Sequence, residues 1–183
     1  MHRQTAAGRN GEGGFTLIDM LFVVSLICLL MTLAIPGLMR ARGAAQMTSA
    51  IGTMRVVNSA QLSYAITCGS GFYSPDLKTL GVKPPGAIEG YLPEDLSGAP
   101  TFIKSGYNFS MAGTGVMTAP PTCNGLPAGS AATGYAFVGD PLDTAPPARY
   151  FGTNSDGLIY EHTASLAAIM TEAGRPASGT PIQ

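Results

Sequence analysis

At 183 residues the chain has room for one domain and an appendage. Ten Lys+Arg stand against 11 Asp+Glu, and only 11% of residues are charged, which excludes a nucleic-acid binder run by bulk charge and argues against a multi-domain enzyme. With 24 Gly and 14 Pro the chain is loop-rich but short of low complexity, and a mean hydropathy of +0.22 leaves a membrane segment open.

Residues 1–14 are polar and weakly basic, with His2, Arg3, Arg9 and the single acid Glu12. A basic start before an apolar run is the outline of an export signal. Small-x-small sites beyond the run, such as Ala41-Arg42-Gly43, are poor, so the better cut lies ahead of it, between Gly14 and Phe15. From Met20 to Met39 the chain carries no charge. Such a segment spans about 30 Å as a helix, the thickness of a bilayer's hydrocarbon core, and is apolar on every face. Pro36 and Gly37 near its far end mark a weak point, tolerated in membrane helices as a kink.

Beyond the span the helical period continues to about Thr67. Met47, Ile51, Met54, Leu62 and Ala65 form an apolar face interrupted by Asn58, with Gln46, Thr48, Arg55 and Gln61 opposite. Gly69, after Cys68, is the expected stop. Ser74, followed by Pro75 and Asp76, is read as the N-cap of a short helix to Leu80. Residues 83–104 read as loop, with one helical turn around Pro93–Leu96. Strands are expected at 107–111, 134–138, 149–152 and 158–160, the last two forming a hairpin around the turn cluster Asn154–Gly157. The expected product is a sheet of three or four antiparallel strands leaning on the long helix, followed by a flexible tail, 173–183.

Cys28 falls in the apolar run and reads as a small hydrophobe. Cys68 and Cys123 lie beyond it, on the exported side, where a disulfide is expected and two free thiols are the alternative. No His pair accompanies them, so zinc is not expected. His162 stands beside Glu161 without a catalytic partner, and no nucleophile elbow, metalloprotease or phosphate-loop motif occurs. Asn154, Asp156 and Gly157 imitate the middle of a calcium loop, but Gly152 and Thr163 fail its end positions. Asp140 and Asp143 are the remaining loop acids weighed for calcium. Neither a metal, a cofactor nor a catalytic residue is assigned.

The run Gly14-Phe15-Thr16-Leu17-Ile18-Asp19-Met20, entering an apolar helix with Pro36 near its end, resembles the class III leader of type IV pilins and type II secretion pseudopilins. The hairpin segment Asp156-Gly157-Leu158-Ile159-Tyr160 is similar, more loosely, to pilin-like proteins of type II secretion. The resemblance implies an α+β, pilin-like fold: a long N-terminal helix, half transmembrane, packed against a small C-terminal antiparallel sheet. It divides the chain into a leader (1–14), a transmembrane and filament-core helix (15–39), an amphipathic helix half (40–67), an exported head (68–172) and the tail. It implies cleavage after Gly14 and methylation of Phe15 by prepilin peptidase, with the helix serving as membrane anchor and then filament core.

The implied partners are that peptidase, an inner-membrane assembly platform, membrane lipid and other pilin or pseudopilin subunits. The implied location is the bacterial inner membrane with the head in the periplasm, then a pilus or periplasmic pseudopilus. Asp19 stands where the family has Glu. The resemblance implies that it pairs with a neighbour's N-terminal amine, while Thr16-x-x-Asp19 is also a capping pattern. At Pro36 and Gly37 it implies local unwinding in the filament. A DNA-uptake pilin is one alternative, opposed by five basic residues (Lys78, Lys83, Lys104, Arg149, Arg175) against nine acids over 67–183. An unrelated single-pass exported protein is the other.

Overall fold

The structure, a computed structural model, describes residues 15–144 and 148–182. Helix α1, Leu17–Thr67, continues through Pro36 and Gly37. The chain divides into two units, residues 1–43 and 44–183.

Within the first unit the described residues form the front half of α1. Its apolar side chains, from Phe15 and Leu17 to Leu38 and Met39, are all exposed. An uncharged stretch rich in Leu and Met makes the helix, and among the described residues of this unit no second element gives those side chains a surface to pack on.

In the second unit, from Ala44 onward, the back half of α1 packs on a sheet. Helices α2 (Leu77–Gly81) and α3 (Glu94–Ser97) are short. Strands β1 (Thr101–Lys104), β2 (Tyr107–Ala112), β3 (Ala136–Pro141), β4 (Tyr150–Asn154), β5 (Ile159–His162) and β6 (Thr180–Pro181) form one antiparallel sheet in chain order. Alternation sets the register: Phe109 lies opposite Phe102 in β1 and Gly139 in β3. Phe109 stacks between Phe102 (5.0 Å) and Phe137 (5.5 Å), and these rings join Met54, Val57 and Tyr64 of α1 in the main core. Each fully buried side chain of this size contributes about 1.5–3 kcal/mol.

A smaller cluster joins Val138 and Tyr160 to Leu166, with Ile169 and Met170 against it. Gly152 permits this contact, because a Cβ there would lie 3.0 Å from the Met170 sulfur and 3.1 Å from Leu166. The sheet is therefore covered by the C-terminal segment as well as by α1.

The sheet has six strands where three or four were expected. β1 lies inside the Gly- and Pro-rich stretch read as loop, and four residues between turns give too little alternation to detect. β6 falls in the expected tail. It is only two residues long, and its Pro181 is tolerated because the strand lies at the sheet edge. Ile182 then donates its N–H to the Ile159 carbonyl at 2.8 Å, and Pro176 is buried. β3 starts at Ala136, two residues later than expected. The cap of α2 is Asp76, not Ser74: the Asp76 carboxylate accepts from the Thr79 N–H at 2.7 Å. After α1 the left-handed backbone falls at Ser70 (φ 52°) and Gly71 (φ 93°) rather than at Gly69.

The buried face of α1 also departs from the apolar stripe. Leu62 is exposed, whereas Gln61 is fully buried. The Gln61 amide donates to the Ser74 carbonyl and accepts from the Ser74 N–H, both at 2.9 Å. Periodicity counted apolar residues and missed an amide matched to a strand-like backbone.

Candidate functional site

Gly14, one side of the expected cleavage, lies outside the described residues, as does the rest of 1–14. Phe15 is described and exposed. At the start of α1, Asp19 Oδ2 accepts from the Thr16 hydroxyl at 2.6 Å and from the Thr16 N–H at 3.1 Å. The Asp19 N–H donates back to Thr16 Oγ1 at 3.3 Å and to the Thr16 carbonyl at 3.1 Å. This is a reciprocal capping box, and Asp is just long enough to close it. The second carboxylate oxygen, Oδ1, makes no hydrogen bond among the described residues.

Polar side chains inside the apolar run are turned back onto their own helix. Ser25 Oγ donates to the Leu21 carbonyl (2.8 Å) and Thr32 Oγ1 to the Leu29 carbonyl (2.7 Å), so the hydroxyls do not require water. Cys28 is a free, exposed thiol. The helix contains a window of mean hydropathy 2.6, long and apolar enough to cross a bilayer, with none of it buried.

Arg40 and Arg42 follow that run and are exposed. The ion pairs among the described residues are Lys104–Asp95 and Arg149–Glu161, so neither arginine meets a carboxylate. Between Asp19 and Asp76 the chain contains no acid at all. In the sequence Arg42 stands in a poor small-x-small site, with Arg40 two residues before it. The signal that could have singled them out is that long interval with bases and no acids.

In the second unit Cys68 and Cys123 form a disulfide, with Cα atoms 4.9 Å apart. The Cys123 N–H also donates to the Cys68 carbonyl at 3.3 Å, joining the end of α1 to the loop ahead of β3. Asn58, which interrupted the apolar face, is a junction: it accepts from Tyr135 Oη at 2.9 Å and donates to Thr153 Oγ1 at 2.9 Å.

No known family, curated protein or solved structure matches this chain.

The residues weighed for calcium are engaged elsewhere. Asn154 donates to the Thr171 and Gly174 carbonyls, Asp156 accepts from the Gly174 N–H at 2.9 Å, and Asp140 accepts from Ser165 Oγ at 2.9 Å. Among the described residues no three His, Cys, Asp or Glu side chains group to hold a metal ion. His162 Nδ1 meets the Ala164 N–H at 3.0 Å within its own turn. An open groove of about 490 Å³ between α2 and α3 mixes Lys78 and Lys83 with Glu89 and Glu94, and a balanced rim of this kind selects neither anion nor cation.

Proposed function

We propose that the chain is a structural subunit of a type IV pilus or type II secretion pseudopilus. On this reading prepilin peptidase cleaves after Gly14 and methylates Phe15, and α1 anchors the subunit in the bacterial inner membrane before assembly. The head then occupies the periplasm until the subunit enters a filament with other pilin or pseudopilin subunits, driven from an inner-membrane platform. The role is structural rather than catalytic.

One observation carries the reading: the exposed apolar face of α1 begins immediately behind the Gly14-Phe15 motif and extends to Met39. Covering a large apolar side chain is worth about 1.5–3 kcal/mol, so this surface represents tens of kcal/mol left unrealised. That exceeds the 5–15 kcal/mol by which a typical domain is folded, so lipid or other copies must cover it. Withdrawing the Asp19 carboxylate from water on assembly costs several kcal/mol unless it is paired, which suits a group that finds a cationic partner, the neighbour's new terminal amine.

Intact-mass analysis of membrane and filament fractions tests this. The expected mature chain starts at Phe15 and carries one extra methyl group. Residues 1–14 retained in the assembled form, or a start beyond Pro36, would overturn it.

A further inference from the structure

Among the described residues of the first unit, the charges sit at the two ends of its apolar run. Asp19 stands before it, Arg40 and Arg42 after it, and Met20–Met39 between them is uncharged. Among the described residues Asp19 Oδ1 makes no hydrogen bond while Oδ2 is held by Thr16, so the carboxylate keeps acceptor capacity. The two guanidiniums are exposed and have no carboxylate partner among the described residues. Along a continuous helix Asp19 and Arg40 are about 32 Å apart, too far to meet within one chain.

In a bilayer both ends of the span reach water or headgroups, and neither charge is stranded. When apolar runs leave lipid and pack on one another, that hydration is lost. A charge withdrawn from water without a partner costs several kcal/mol, and a paired one far less. Parallel helices keep an apolar core continuous when one run begins at the level where another ends. At that joint unlike charges meet: Asp19 of one copy lies level with Arg40 and Arg42 of another.

We propose that the Arg40–Arg42 pair is an intermolecular carboxylate site occupied by Asp19 of a second copy displaced by about 32 Å along the helix axis. The proposal rests on the filament reading and adds to it. Pairing of Asp19 with a terminal amine calls for a neighbour at small stagger, whereas this contact belongs to a different neighbour, one whole span away. Arginine suits the task because its planar fork can bind a carboxylate through two hydrogen bonds and stays charged on desolvation.

The test uses the full-length chain. Ile18→Cys and Met39→Cys, in one chain also carrying Cys28→Ser, retain all three charged residues and repeat the Asp19–Arg40 spacing. Oxidised filaments should give a ladder of oligomers on denaturing gels, because each copy links to two others. In parallel, Arg40→Gln with Arg42→Gln should lower filament yield at least tenfold while leaving membrane insertion and Phe15 processing unchanged.

Normal yield from the double Gln variant, or cross-linking that stops at dimers through like positions, overturns the proposal and leaves the filament reading standing. Loss of membrane insertion in the double Gln variant overturns it in favour of lipid phosphate as the arginines' partner. Failure of the unsubstituted chain to form filaments removes both readings.

Discussion

The two halves of α1 obey different rules. The front half is apolar on all sides and wholly exposed, with its few hydroxyls folded back onto helix carbonyls. The back half is less apolar but half buried, and its buried face includes Thr53 and Gln61 alongside Met54, Val57 and Tyr64. Burial therefore does not follow hydrophobicity along this helix. It follows the supply of partners: the sheet and its loops offer stacked rings and backbone amides to one half, and the described residues of the first unit offer the other half nothing.

The largest effect that should separate the halves is a core truncation. Phe109→Ala removes a ring stacked on Phe102 and Phe137 and should cost about 3–5 kcal/mol. Leu30→Ala, in the exposed half, should leave the melting of the second unit unchanged. Thermal unfolding of both full-length variants in detergent, followed by near-ultraviolet circular dichroism, compares them directly. Equal destabilisation would mean that the front half also packs on the fold.

Next in size is the disulfide that ends the packed half. It closes a separation of 55 residues, and Cys123→Ser should lower stability by about 2–4 kcal/mol. A non-reducing digest should show the Cys68 and Cys123 peptides linked. Quantitative alkylation of both thiols without reductant would contradict the bond.

Gln61 sharpens the comparison at a single side chain. Gln61→Leu keeps the volume and adds hydrophobicity, which a stripe-based view of α1 would welcome. It leaves the Ser74 N–H and carbonyl unpaired in a buried site, so a loss of about 1–3 kcal/mol is expected. Stability equal to wild type would show that Ser74 finds other partners.

These residues also show how far the chain could be read in advance. The length of α1, the turn at Asn154–Gly157 and the pairing of Cys68 with Cys123 were legible, because period, turn chemistry and location are local properties. Strands β1 and β6 were not, since each is shorter than the window over which alternation can be counted, and β6 exists only through β5. Gln61 and Asn58 looked like interruptions because their partners, Ser74, Tyr135 and Thr153, are set by tertiary packing. Arg40 and Arg42 are plain in the sequence, but that neither meets a carboxylate among the described residues is a property of the folded chain.

The smallest expected effect lies at Tyr64, where the packed half carries a buried polar atom it does not satisfy. Its ring is fully buried in a T-shaped contact with Tyr91, 5.4 Å between centroids, while the hydroxyl, near Thr122, completes no hydrogen bond among the described residues. Removing an unpartnered buried hydroxyl relieves its desolvation, so Tyr64→Phe should leave stability unchanged or raise it by up to about 1 kcal/mol near neutral pH. Alkaline pH gives a second readout. Burial raises the Tyr64 pKa above its usual 10.0, as it does for Tyr107 and Tyr135. A raised phenol pKa means the folded chain holds a proton that the unfolded chain releases above about pH 10. The associated stability is thus complete below that pH and is lost as pH rises through the folded-state value. Tyr64→Phe removes one of these three phenols, so its unfolding free energy should fall less steeply above pH 10 than that of the unsubstituted chain. A lower melting temperature at neutral pH would mean that the hydroxyl is paired after all, with Thr122 the nearest candidate.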